Sequence, residues 1–246
     1  MTCNHLICRT FGGLSQESKN MKTPKTLLPF FAFAFLHLLA KLMDFPTMAD
    51  FTKPLLMVGL MIYFNSEVPK TVLSKFVNAA LFLSLLGDVF LIFSDAQPLF
   101  FLLGLASFLL AHLVYIFLNL NLVDTEDRKL KFRWHDLLFG VYGLVIFQQI
   151  KPGLGDMMIP ALLYTIVICI MGITASKRWG KTDKASFWWI MIGAFFFIIS
   201  DSILAINQFS SPFPQAGFLI MLTYIIAQFM IVRGIVEFIK SLRTFD

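Results

Sequence analysis

LFLSLLGDVFLIF, residues 81–93, is a run of apolar side chains broken by one charge, Asp88. It ends a longer apolar stretch, 72–93, of the length that crosses a bilayer's hydrocarbon layer as a helix, for which about 17 to 25 residues are needed. A second window of the same kind, AFFFIISDSILAI at 194–206, holds Asp201. An acidic side chain near the middle of a spanning helix costs about 2.5 to 3.5 kcal/mol. Two of them together cost about as much as the lower end of a domain's net stability. Carboxyls retained at that cost face the interior of a helix bundle and mark a proton, ion or substrate site.

Working outward, apolar stretches recur at 27–43, 54–65, 98–120, 135–150, 157–176, 186–206 and 217–240. With 72–93 they predict an all-α, polytopic membrane helix bundle of about eight transmembrane helices, one domain over 27–240. Residues 1–26 read as a polar, disordered tail and 241–246 as a short C-terminal tail. The chain is 58% hydrophobic and 14% charged, and its mean hydropathy is +0.78, which excludes a soluble domain. Brief loops leave no room for a second one.

The net charge of +5 does not point to nucleic acid, because the basic residues follow the membrane. With eight spans, one side collects Lys22, Lys25, Lys70, Arg128, Lys129, Lys131, Lys177, Arg178, Lys181 and Arg243, whereas Lys41, Lys53 and Lys151 lie on the other. The excess of basic residues on cytoplasmic loops then places both termini in the cytosol. Cys3, Cys8 and Cys169 form no disulfide framework or paired metal motif. The first apolar run lacks a cleavage site, so the tail is not a removed signal, and Met21 is a candidate true start.

Helices one to four and five to eight share one orientation. Aligning Asp88 with Asp201 also pairs Phe82 with Phe195, Gly87 with Ser200 and Leu91 with Leu204, which suggests a parallel 4+4 repeat. Both acids then lie about 8 Å below the outer boundary, given a rise of about 1.5 Å per residue. Gly87, Ser84, Ser200 and Ser202 are small and let membrane helices approach closely. Two carboxyls meeting in one dry cavity do not both ionise comfortably, which leaves one proton donor and one acceptor titrating as a pair.

Other polar residues have a packing reading beside a functional one. His112 and Tyr115 share a helical face, and either serves the site or bonds a neighbouring helix. From the outer end His112 falls about 20 Å in, deeper than either acid, which argues against direct contact. His37 reads as a buried structural histidine. Lys53 precedes Pro54, read as the first turn of a helix; it snorkels to the interface, holds a phosphate, or balances one aspartate. Arg233 and Glu237 are four apart and form a helical ion pair. Pro160-Ala161-Leu162 spells an intramembrane protease signature but lies between the acids instead of after both. Too few deep histidines exist for a catalytic zinc, although His37, His112 and the acids together form a conceivable ligand set.

In order, Lys53-Pro54-Leu55-Leu56-Met57, Leu86-Gly87-Asp88-Val89-Phe90-Leu91, Ala111-His112-Leu113-Val114-Tyr115 and Ser200-Asp201-Ser202-Ile203-Leu204-Ala205 resemble the signature of the YhhN-like lysoplasmalogenase family. The resemblance covers helices two to seven, without departure at the acids; Gln228 and the first twenty residues have no counterpart in it. It implies a membrane hydrolase that cleaves the vinyl-ether bond of lysoplasmalogens to a fatty aldehyde and a glycerophospho-alcohol, without metal or cofactor. Asp88 and Asp201 would be the catalytic pair, His112 and Tyr115 supporting groups, and Lys53 the head-group or counter-charge residue. The partners implied are a vinyl-ether lysophospholipid and membrane lipids, in a bacterial cell membrane or a eukaryotic endoplasmic reticulum. The competing class is a proton- or sodium-coupled transporter with Asp88 and Asp201 as ion sites. A third is a scaffold in which the acids only pair with Lys53 or Arg233.

Overall fold

The structure, a computed structural model, describes residues 25–123 and 133–243. Among these the chain forms eight α-helices and no strand: α1 (Leu28–Leu42), α2 (Pro46–Glu67), α3 (Val72–Ile92), α4 (Pro98–Asn121), α5 (Asp136–Ile150), α6 (Met158–Ser176), α7 (Lys184–Phe209) and α8 (Ala216–Arg243). Six have the length and hydropathy to cross a membrane, and the chain is a multi-pass integral membrane protein. The two that do not are α2, which carries Asp50, Lys53 and Asn65, and α5, which has 15 residues. The expectations on Met21, Cys3, Cys8 and the basic residues Lys22, Arg128, Lys129 and Lys131 fall outside the described residues.

Local chemistry explains the helix starts. Proline stands in the first turn of α2 and α4, where its missing N–H removes nothing. Thr71 caps α3: its hydroxyl accepts from the Ser74 N–H at 3.1 Å while the Thr71 N–H donates to Ser74 Oγ at 2.8 Å. Asp183 accepts from the Ser186 N–H at 3.1 Å and caps α7.

Several boundaries differ from expectation, chiefly where polar residues at a helix end hide it from hydropathy. α2 begins at Pro46, about two turns before Pro54, so Pro54 lies inside the helix and Lys53 is a mid-helix residue instead of a flanking one. α7 continues through Asn207 and Gln208 to Phe209. α8 continues to Arg243, and a 3₁₀ turn at Lys25–Leu27 already belongs to the bundle.

The most extensive pairing joins α7 and α8. There Gly193 faces Ile231 and the Ala227 carbonyl, and Gly234 faces Ile190, so close that a β-carbon at either would collide with backbone or side chain. In lipid, where no hydrophobic force draws helices together, such close approach supplies the packing. Large side chains such as Phe35, Leu138, Val141, Ile159 and Phe195 are exposed and form the lipid-facing belt.

Most helix contacts match when the halves are interchanged. Within the first half α1 packs on α2, α2 on α3 and α3 on α4; within the second, α5 on α6, α6 on α7 and α7 on α8. Between halves, α4 packs on α6 and, equivalently, α8 on α2. Two contacts depart from the match: α8 also packs on α1, and α5 on α7, without comparable α4–α5 and α1–α3 contacts among the described residues.

Candidate active site

Asp88 projects from α3 and is buried, at 1% side-chain exposure, and Asp201 projects from α7 and is partly buried, at 14%. Asp88 Oδ2 accepts a hydrogen bond from the Tyr224 hydroxyl of α8 at 2.9 Å, and Asp88 Oδ1 lies 3.9 Å from the Lys53 ammonium of α2. Asp201 Oδ2 accepts from the Tyr164 hydroxyl of α6 at 2.5 Å and lies 3.7 Å from His112 Nε2 of α4. The distances to Lys53 and His112 are both longer than hydrogen bonds, and the second is an ion pair only when the imidazole is protonated.

The two sets map onto one another when the halves are interchanged. Each acid sits on the third helix of its half. It receives one group from the second helix of that half, Lys53 or Tyr164, and one from the fourth helix of the other half, Tyr224 or His112.

The carboxyls are linked indirectly. Tyr224 packs edge-on against Phe197 with centroids 5.6 Å apart, Phe197 against His112 at 4.6 Å, and His112 against Tyr164 at 5.4 Å. No hydrogen bond joins the two acids among the described residues. The small residues expected to bring α3 and α7 together have other roles. Gly87 makes room for the Phe108 ring of α4, Ser200 donates to the Ile220 carbonyl at 3.0 Å, and Ser202 accepts from Tyr142 at 2.9 Å.

Behind Asp88 lies a wholly buried polar relay. Tyr115 donates to Gln228 Oε1 at 2.7 Å, while Gln228 Nε2 donates to Ser84 Oγ at 3.0 Å and to Tyr224 Oη at 3.4 Å. Because Gln228 donates to Tyr224, the Tyr224 proton is left for Asp88, and every hydroxyl in the chain has a fixed sense.

His112 was expected to lie too deep to touch the acids, and that is corrected. Asp201 stands eight residues from the end of α7 where Asp88 stands four from the end of α3. At about 1.5 Å per residue the equal depth expected for the two acids is lost, and Asp201 lies nearer the level of His112. Neither ring nitrogen of His112 has a hydrogen-bond partner among the described residues.

His37 is structural: its Nδ1 meets Thr52 Oγ1 at 3.0 Å and the Ala49 carbonyl at 3.1 Å, tying α1 to α2. Arg233 forms its expected pair with Glu237 at 2.5 Å and also donates to Tyr63 at 2.9 Å. Among the described residues no three His, Cys, Asp or Glu side chains are grouped as a metal would need, so His37, His112 and the acids do not form a ligand set.

Two recesses meet at Asp201. One lies between α5, α6 and α7; the other lies between α4, α6 and α7. Ile150, Tyr164, Thr165, Asp201 and Ala205 are common to both walls, and Asp88 is in neither.

These features describe a polytopic helical membrane protein with one buried and one partly buried carboxyl, each on the third helix of its half. The model of the YhhN family matches residues 48–235, a range that contains Lys53, Asp88, His112, Tyr115, Tyr164, Asp201, Tyr224 and Gln228, and the chain belongs to that family. It is 31% identical over 159 residues to a human protein named lysoplasmalogenase TMEM86B, matching 64% of this chain and 62% of that one. To the Sus scrofa protein of the same name it is 27% identical over 217 residues, 87% of this chain and 88% of that one. To human lysoplasmalogenase TMEM86A it is 30% identical over 171 residues, 65% of each. No solved structure matches the chain.

Proposed function

We propose that the protein hydrolyses the vinyl-ether bond of lysoplasmalogens, releasing a fatty aldehyde and a glycerophospho-alcohol, with Asp88 and Asp201 as its acid–base groups. The observation that carries this is the pair of carboxyls inside the helix bundle, each hydrogen-bonded by a tyrosine and faced by a lysine or histidine side chain, in a chain whose relatives are named lysoplasmalogenases.

A vinyl ether opens when a proton reaches its alkene carbon. The C–H bond forms with the π electrons, and the adjacent ether carbon becomes an oxocarbenium ion. Water adds to that carbon, a proton leaves, and the hemiacetal collapses to aldehyde and alcohol. Asp201 borders both recesses and is the carboxyl that meets the alkene as proton donor. Asp88, beside Lys53, lies outside both recesses and reaches the Asp201 site through the Tyr224–Phe197–His112 stack; as a carboxylate it supplies negative charge to the cation at a distance. The division resembles that of two-carboxylate glycosidases, in which one acid protonates and the other supports the oxocarbenium-like state.

The transporter reading predicts helices broken at the ion site. Here α3 and α7 run through Asp88 and Asp201 without interruption, which favours chemistry over transport. Purified protein in detergent should release aldehyde from a 1-alkenyl lysophospholipid without any gradient. Asp88→Asn and Asp201→Asn should each fold and lower that rate at least about a hundredfold, the scale of acid–base catalysis. Full turnover in either variant removes that aspartate from the mechanism, and gradient-dependent uptake into vesicles without aldehyde would replace the hydrolase by a transporter.

A further inference from the structure

The two recesses at Asp201 run in opposite directions along the bundle. From Asp201, the one between α4, α6 and α7 extends to Leu204 and Phe209, to Ala161 near the start of α6, and to Phe101 near the start of α4. These are all helix ends on one side, the side that the charge pattern makes the outer one. The recess between α5, α6 and α7 extends the other way: to Ile198 on α7, to Ile168 and Cys169 further along α6, and to Gly143 and Ile146 on α5. It therefore leads from the carboxyl toward the middle of the hydrocarbon layer.

The inward recess offers an occupant almost no polar chemistry. Its hydroxyls and thiol are already engaged by the protein. Tyr142 donates to Ser202 at 2.9 Å, Thr165 to the Ala161 carbonyl at 2.8 Å, Cys169 to the Phe139 carbonyl at 3.2 Å, and Tyr164 to Asp201 at 2.5 Å. What remains free is hydrocarbon, from Ile146, Ile150, Ile168, Ile198 and Ala205, and a single carboxyl oxygen, Asp201 Oδ1, which has no hydrogen-bond partner among the described residues. A surface of this kind recognises a hydrocarbon chain with one reactive carbon at its end.

We infer that the recess between α5, α6 and α7 holds the hydrocarbon chain of a single-chain ether lipid, with the carbon to be protonated at Asp201 and the polar end directed outward through the second recess. The orientation is that of a lipid in its own leaflet, chain inward and head group at the interface. The placement of the double bond rests on the proposed hydrolysis; the placement of the chain does not. Chain length is then read by Ile146, Ile168 and Ile198, since a methylene gained or lost in an apolar pocket changes specificity by about tenfold or more.

The site is mapped with a saturated 1-O-alkyl lysophospholipid carrying a diazirine near the far end of its chain, photolysed on the wild-type protein in detergent. Adducts are expected on Ile146, Ile168 or Ile198, assigned to single residues by fragmentation; adducts confined to Leu105 or Leu204 would overturn the inference. In parallel, Ile146→Trp should lower kcat/KM for a long-chain alkenyl substrate about tenfold or more relative to a short-chain one, whereas Leu105→Trp should leave that ratio unchanged. An unchanged ratio in folded Ile146→Trp, or the shift appearing in Leu105→Trp, would sink the assignment. Adducts at the inward recess without aldehyde release by the wild type would uphold the chain site and reject the hydrolase; aldehyde release with adducts elsewhere would do the reverse.

Discussion

At Asp88 the nearest polar groups are an ammonium and a phenol; at Asp201 they are a phenol and an imidazole. The phenols test whether this matters. A hydrogen bond to a charged group contributes about 1.5 to 3 kcal/mol. Tyr224→Phe, which removes only the hydroxyl, should therefore lower kcat/KM for aldehyde release about tenfold or more while the protein stays folded. Unaltered kinetics would reduce Tyr224 to a packing residue. Gln228→Leu is a different loss: Tyr115 and Ser84 keep buried polar groups without their partner, at a cost of about 1 to 3 kcal/mol, measurable as a lower unfolding temperature in detergent. The acids were legible in the sequence because a charge in an apolar run is costly. Tyr164 and Tyr224 were not, since a tyrosine among phenylalanines barely disturbs hydropathy. A signal did exist: the chain has 29 Phe and only 5 Tyr, and a hydroxyl buried in a span needs a partner. Gln228 was visible as a lone amide in the last span but had nothing in the sequence to pair it with.

Helices were legible where their apolar residues ran to the end and obscure where polar residues closed them, as at Pro46 and Asn207-Gln208. Glycines show how tightly the elements fit. A β-carbon at Gly193 would lie 2.9 Å from the Ile231 nitrogen and 3.0 Å from the Ala227 oxygen, both backbone, whereas one at Gly140 on α5 would meet nothing within 4 Å. Gly193→Ala should thus destabilise by about 1 to 3 kcal/mol through forced separation of α7 from α8. Gly140→Ala should stabilise by about 0.5 to 1 kcal/mol through helix propensity. Thermal unfolding of the two variants side by side checks both signs, and equal effects would mean that the helix contact is looser than its geometry.

For the molecule as a whole, the likeness of the halves was legible only as a handful of matched residues around the acids. The matched contacts were not, because they join residues such as Asp88 and Tyr224 that lie 136 positions apart in sequence. They make a prediction of their own. A chain cut between residues 128 and 129 and expressed as two pieces should reassemble, held by α4 on α6 and α8 on α1 and α2. The pieces should co-purify and regain aldehyde release that neither has alone; pieces that fail to associate would place the adhesion within the halves.

Because each acid draws a neighbour from across the divide, a lone four-helix segment is chemically unfinished. Two identical copies could complete one another only as twins, with the same surroundings around both carboxyls. Tethering them in one polypeptide lifts that constraint, and the present chain has used the freedom: a lysine stands on one side where a tyrosine stands on the other, and a tyrosine where a histidine does.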